Sequence, residues 1–223
     1  MKRHLDDELK KIKEKLFKMA GLVEEAIRDA ATALFERDIE RARNVILKDQ
    51  NINIYEIEID ELGHELIALY QPAAVDLRLI TMVLKMTGDL ERMGDQAVNI
   101  AEQAMVVNQQ APIKPYQDLP RMAEVSSEMV RRGLHAFMTR DVEEAKQVLE
   151  MDDAVDQLKD KIYEDVQQLM ESNPAVIRMG VSLIMIAHNL ERIGDLATNI
   201  AEDVIYLNRG IDVRHHIRER RTD

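Results

Sequence analysis

The chain has 223 residues, of which 46% are hydrophobic, 32% charged and 4% aromatic, with no Trp, no Cys and a formal charge of -12. That hydrophobic share rules out a disordered acidic tail, and the charge argues against a nucleic-acid binder, which presents a basic face and stacking aromatics. Without cysteine there are no disulfides, no thiolate catalysis and no thiolate metal sites.

Helical periodicity runs almost from end to end. Leu5, Leu9, Ile12, Leu16, Met19, Val23, Ala26, Ala30 and Ala33 recur in steps of four and three, the seam of a first helix facing partner helices. Residues 35–38 (FERD) break the run. Asp38 is then the expected N-cap of a second helix, ending near Tyr70 because Gln71 precedes Pro72. A third helix follows to about Asn108. Residues 109–120 (QQAPIKPYQDLP) hold three of the five prolines and read as a linker. Beyond it the plan repeats: a helix to about Thr139, a break at 139–141 (TRD), a helix to Ser172, a break at Asn173 and Pro174, and a last helix to about Leu207.

The expectation is an all-α fold, a tandem duplication of two antiparallel three-helix bundles with six long helices. The first bundle covers 1–108, the linker 109–120, the second bundle 121–208 and a basic C-terminal tail 209–223. Pseudo-twofold and tandem stacking of the bundles are both open. The duplication is written in the residues. DLERMGDQAVNIAE (89–102) and NLERIGDLATNIAE (189–202) agree at ten of fourteen positions, one hundred residues apart, and 36–53 matches 139–156 at an offset of 103. Arg78 corresponds to Arg178 at the hundred-residue offset.

Two basic runs stand against the acidic total: Lys10, Lys11, Lys13, Lys15 and Lys18, and Arg214, Arg218, Arg220 and Arg221. Both read first as solvated charge; contact of the tail with an acidic partner or an anionic membrane is the alternative. No signal-peptide core is visible, and apolar runs such as 79–84 (LITMVL) and 181–187 (VSLIMIA) are too short to span a bilayer. A soluble cytoplasmic protein is expected.

The acids are the chemistry-bearing residues. On the third helix Glu91, Asp95, Asn99 and Glu102 fall within an arc of about 80° and a length of about 16 Å, opposite Leu90, Met93, Ala97, Ile100 and Ala101. Alone, this is the solvated face of an amphipathic helix. On the second helix Ile39, Ala42, Val45, Ile46 and Ile52 set a core-facing arc, and Asp49 and Asn53 fall inside it, followed by Glu56 and Asp60. In the second half Val142, Ala145, Val148, Leu149 and Val155 set the arc, and Asp152 and Asp156 fall inside. Inward acids are costly unless paired or bound to a cation.

Three explanations compete. The acids pair with Arg78, Arg92, Arg178 and Arg192; or the bundle splays and leaves them wet; or acids of the second and third helices share a cation held by oxygen ligands. Gly94 and Gly194 inside helices mark either a close helix approach or a kink. A single Glu61-x-x-His64 is half of a di-iron signature and leaves His64 a surface or boundary residue; His188 reads as structural, and His215 and His216 have no partner spacing. No Walker loop, nucleophile–base pair or Gly-rich phosphate cradle is present.

LERMGDQAVNIAE and LERIGDLATNIAE, with DQNIN (49–53), DDAVD (152–156) and QPAAVDLR (71–78), make the chain similar over essentially its whole length to the PhoU family, regulators of bacterial phosphate uptake. The resemblance implies Glu/Asp-x-x-x-Asp pairs that bind metal ions at the bundle surface, as iron or zinc clusters or as manganese or magnesium. Carried over residue by residue, the implied ligands are Asp49, Glu91, Asp95, Asn99 and Glu102 in the first bundle, with Asn53 at the position where the family prefers Asp. In the second bundle they are Asp152, Asp156, Glu191, Asp195, Asn199, Glu202 and Asp203. Asn53 therefore makes the first site the one whose occupancy is in question.

The implied role is negative regulation of phosphate uptake and of the phosphate-starvation response. The protein would be a non-enzymatic, metal-binding adaptor between the ATPase subunit of a phosphate ABC transporter and a sensor histidine kinase. It would be a homodimer, peripheral at the inner membrane face through its partners, with no nucleic acid bound. The competing readings are a metal-dependent enzyme with multinuclear carboxylate centres and a metal-free helical scaffold.

Overall fold

Each helix starts or stops where a side chain or a left-handed residue satisfies open backbone groups. The computed structural model describes residues 2–110 and 118–209. Among them the helices are α1 (Lys2–Phe35), α2 (Ile39–Tyr70), α3 (Ala74–Asn108), α4 (Asp118–Thr139), α5 (Val142–Ser172) and α6 (Ile177–Arg209), with a 3-10 turn at Pro174–Val176. The all-α class and the six-helix order are as expected. The basic tail with His215 and His216 lies outside the described residues, as does the linker over 111–117. Asp118, Leu119 and Pro120, expected in the linker, form the first turn of α4, where the missing N–H of a proline is no loss.

Both halves turn their first corner with the same pair of residues. Arg37 and Arg140, 103 apart, adopt left-handed φ values of 59° and 57°. The next residue caps the following helix: Asp38 accepts from the Arg41 N–H at 2.9 Å, and Asp141 from those of Glu143 and Glu144 at 2.9 and 3.1 Å. Gln71, at φ 45°, closes α2 by donating its N–H to the Ile67 carbonyl.

The α1 seam buries Leu9, Ile12, Leu16, Met19, Val23, Ile27, Ala30 and Ala33. Ala26, expected in it, is only half-buried, because a straight helix drifts about 20° per heptad against a strict four–three pattern, and Ile27 takes its place. Each such Leu or Ile contributes about 1.5–3 kcal/mol by leaving water.

Helices α1, α2 and α3 pack on one another, as do α4, α5 and α6. The two bundles meet through equivalent helices, α3 on α6 and α1 on α4. Lys85, early in α3, reaches Asp203, late in α6, at 2.6 Å, and Arg78 sits 5.9 Å over the Tyr206 ring, so α3 and α6 run antiparallel. Equivalent helices meeting antiparallel are the mark of a pseudo-twofold, which decides between the two stacking arrangements. Among the described residues no helix is long and apolar enough to cross a membrane.

Candidate metal centres

By burying Leu90, Met93, Ala97, Ile100 and Ala101 completely, α3 presents Glu91 and Asp95 along its groove with α2. Gly94 sets the width of that groove. A Cβ there would lie 3.0 Å from Ile52 Cδ1 and 3.2 Å from Asp49 Oδ1, so a bare backbone lets α2 close on α3 where the acids meet. Asp49 and Asn53 are half-buried. Asn53 Nδ2 donates to Asp49 Oδ2 at 3.1 Å, while Asp49 Oδ1 and Asn53 Oδ1 are buried with no hydrogen-bond partner.

These carboxyls act on each other across the two helices. Burial and then the Asp95 charge hold Asp49 above its usual range. Glu56 is raised by burial and by Asp60 and Asp95, and Glu91 by burial and by Asp95, Glu56 and Asp49. Among the described residues none of Asp49, Glu56, Glu91 or Asp95 forms an ion pair. Arg92, which the sequence offered as a partner, is bound to Asp89 instead.

The second bundle repeats the acids with different company. Burial, followed by the charges of Asp195 and Asp156, pushes Asp152 up to about 6. Asp195 is raised by burial and by Glu191. Lys159 Nζ lies 2.8 Å from Asp156 Oδ1 and 3.1 Å from Glu191 Oε1, and its hydrogen bond to Asp156 raises the ammonium pKa further. Arg192 reaches Asp195 at 3.5 Å, and His188 Nδ1 stands 3.5 Å from Glu191 Oε2. Ion pairing thus accounts for Asp156 and Glu191 through a lysine and for Asp195 through Arg192, one of the expected arginines.

The motif glycines separate by the same test. A Cβ on Gly194 would meet Val155 Cγ1 at 3.6 Å and Met129 at 3.7 Å, ordinary contacts. Gly194→Ala is therefore expected to stabilise by roughly 1 kcal/mol through helix propensity. Gly94→Leu is expected to cost about 1–3 kcal/mol by overpacking against Ile52 and Asp49. Thermal melts of the two variants check this, and a Gly94→Leu protein as stable as the parent would remove the close-approach argument.

The remaining sequence candidates lie further off. Asn99 and Glu102 are exposed, about 6 and 10 Å beyond Asp95 along the axis; Asn199 and Glu202 are half-buried on α6. Asp203 is 4% exposed and bound by Lys85 of α3, so it serves the seam between bundles. One residue past Glu202 turns a helix by about 100°, which sets Asp203, implied as a ligand by the family resemblance, on a different face. Glu56 is the residue that sequence reasoning left out of the set. With Asp60 it follows Asp49 and Asn53 along the inward arc, but the family resemblance does not imply it as a ligand.

Carboxylates from two helices with an amide oxygen between them suit a hard, oxygen-preferring cation. Among the described residues no three Asp, Glu or His side chains converge on one point, so binding an ion requires the acid side chains of α2 and α3 to swing together. A groove of about 690 Å³ lies elsewhere, between α1 and α4, lined by Ile27, Phe35 and Val130 with Glu128 and Arg131. None of the acid-cluster residues faces it.

The model of the PhoU domain matches residues 16–104 and again 119–204. The phosphate-specific transport system accessory protein PhoU homolog of Aquifex aeolicus is 42% identical over 214 residues, covering 96% of this chain and 97% of the relative. The Escherichia coli protein, phosphate-specific transport system accessory protein PhoU, is 34% identical over 93% of this chain and 86% of its own length. Among solved structures, the crystal structure of PhoU from Pseudomonas aeruginosa superposes with a TM-score of 0.90 at 36% identity, covering 92% of this chain and 99% of that one.

Proposed function

This chain belongs to the PhoU family, and on that premise we propose that it restrains phosphate uptake and the phosphate-starvation response as a metal-binding adaptor without catalytic activity of its own. Accessory proteins of the phosphate-specific transport system are its relatives over nearly their whole length. The proposed partners are the ATPase subunit of a phosphate ABC transporter and a sensor histidine kinase, met at the cytoplasmic face of the membrane by a homodimer of this chain. Membrane contact is made only through those partners.

The observation that carries the cation-binding half of this reading is the uncompensated wall of Asp49, Glu56, Glu91 and Asp95, built from two helices held close by Gly94. Four mutually repelling carboxyls destabilise the bundle unless something positive joins them. A hard divalent ion would supply the missing charge, drawing α2 and α3 together and fixing the surface they present to a partner. Asn53 Oδ1 and Asp49 Oδ1 supply further oxygens already out of water. The proposed ligand set keeps the sequence candidates Asp49, Asn53, Glu91 and Asp95 and adds Glu56.

Deleting the gene in its host is expected to raise alkaline phosphatase output, or phosphate uptake, in phosphate-rich medium. Unchanged output and uptake would contradict the regulatory role.

A further inference from the structure

Of the lysines that make α1 locally basic, Lys10, Lys11 and Lys15 each reach a carboxylate, on Glu14, Glu8 and Glu58. Lys13 does not. It is half-buried and, with Phe17 one turn further on, lines a cavity of about 160 Å³ where the two bundles meet. Leu79 of α3, Phe137 of α4 and Leu207 of α6 supply apolar walls, and Arg140, at the corner before α5, lines it as well. No carboxylate lines this cavity, so two positive charges share an apolar chamber. Burial and then the Arg140 charge hold the Lys13 ammonium below its usual range, as expected of two cations kept together without a counter-charge.

The other half of the molecule puts the equivalent arginine to a different use. Arg37 holds the same corner at the 103-residue offset, with the same left-handed backbone, and its guanidinium donates to the Asn108 and Gln110 carbonyls at the end of α3. Open carbonyls at a helix C-terminus suit a cation. Among the described residues Arg140 has no hydrogen bond or ion pair. Its charge is left for the cavity.

We propose that this cavity binds a small phosphomonoester, with the phosphoryl group between Lys13 and Arg140 and an apolar ester group of about phenyl size against Phe17, Leu79, Phe137 and Leu207. Charge sets the head group. A phosphomonoester carries about -1.5 to -2 at neutral pH and answers both cations, whereas a carboxylate answers one. The arginine offers a planar fork to the phosphoryl oxygens and the lysine a point charge. Volume sets the body: an apolar cavity of about 150 Å³ admits benzene, while drug-sized ligands occupy about 300 Å³ or more, which excludes a nucleotide. The bound ester would join α1 of one bundle to the α4–α5 corner of the other. None of the acid-cluster residues lines this cavity, so the site stands apart from the cation-binding reading.

Titrating the chelator-stripped full chain with phenyl phosphate by isothermal calorimetry at low ionic strength tests this. One saturable site per chain is expected. It should be about 10-fold tighter than for inorganic phosphate, which lacks the apolar body, and than for benzoate, which lacks the second charge. Lys13→Met keeps an unbranched stem that suits a helix and should weaken phenyl phosphate by about 10-fold or more. Arg140→Gln, at an exposed corner, should do the same and keeps the test decisive if Lys13→Met fails to fold. Arg131→Gln, in the groove between α1 and α4, should leave binding unchanged. No saturable binding of phenyl phosphate overturns the proposal, as does binding indifferent to both Lys13→Met and Arg140→Gln or lost in Arg131→Gln. Inorganic phosphate or benzoate bound as tightly as phenyl phosphate overturns the ligand class.

Discussion

Stripped of divalent cations, the protein is expected to become more stable as the pH falls from about 7.5 to about 5.5. The folded Asp152 carboxyl titrates at about 6 against an ordinary 3.8, so between those values the folded chain holds a proton that the unfolded chain has released. Stability then rises as pH falls. Asp49, Glu56, Glu91 and Asp195, all held above their usual ranges by burial and by each other, push the same way. For Asp152 alone the gain over that window is less than about 1 kcal/mol after solvent screening.

The trend turns over below about pH 4. There Glu25, Glu128 and Asp38, held below their usual ranges by Lys48, by Arg131 and by the Arg41 backbone N–H, begin to lose those contacts. Saturating Mn2+ should reverse the slope between about pH 7.5 and 5.5, because protons then compete with the ion for the same oxygens. Thermal melts across that window, with chelator and with Mn2+, read both slopes. A chelated protein that loses stability on acidification there would show that the acid walls do not repel as their placement implies.

How far the sequence reached depends on what each feature needed. Helix ends were legible because local chemistry decides them: Asp38 caps α2 and the breaks fall at Pro72 and Pro174 as read, while Pro120 misled, being as acceptable in a first turn as in a linker. The inward acids of α2 and α5 were legible from the apolar arc alone. Their partners were not, since the cross-helix register that sets Asp49 beside Gly94 and Asp95 comes from packing. Lys159 went unnoticed for a related reason. Comparing the halves position by position exposed Asn53 against Asp156, while Glu56 against Lys159, one turn further along the same face, carries the larger charge difference.

The pseudo-twofold was the least accessible feature. It is held by α3 on α6, and its markers, Lys85 with Asp203 and Arg78 over Tyr206, are contacts between residues 118 and 128 apart in the chain. Asp203, implied as a ligand only by the family resemblance, has its carboxylate at the seam between bundles rather than in the groove that Glu191 and Asp195 share with α5.

The expected consequence of removing the ion is large. A ligand present at about a hundred times its dissociation constant stabilises the fold by about 2.7 kcal/mol, which for a chain of this size shifts the melting temperature by roughly 2–4 °C for each kcal/mol. Repulsion among Asp49, Glu56, Glu91 and Asp95, relieved in the loaded protein, returns in full when the ion leaves. The most direct measurement is elemental analysis of protein purified without chelator, paired with melting curves before and after chelation. Iron, zinc, manganese or magnesium is expected at no less than one ion per chain, with a melting temperature several degrees lower after chelation. Sub-stoichiometric metal together with an unchanged melting temperature would contradict it and leave a helical scaffold whose acids need no ion.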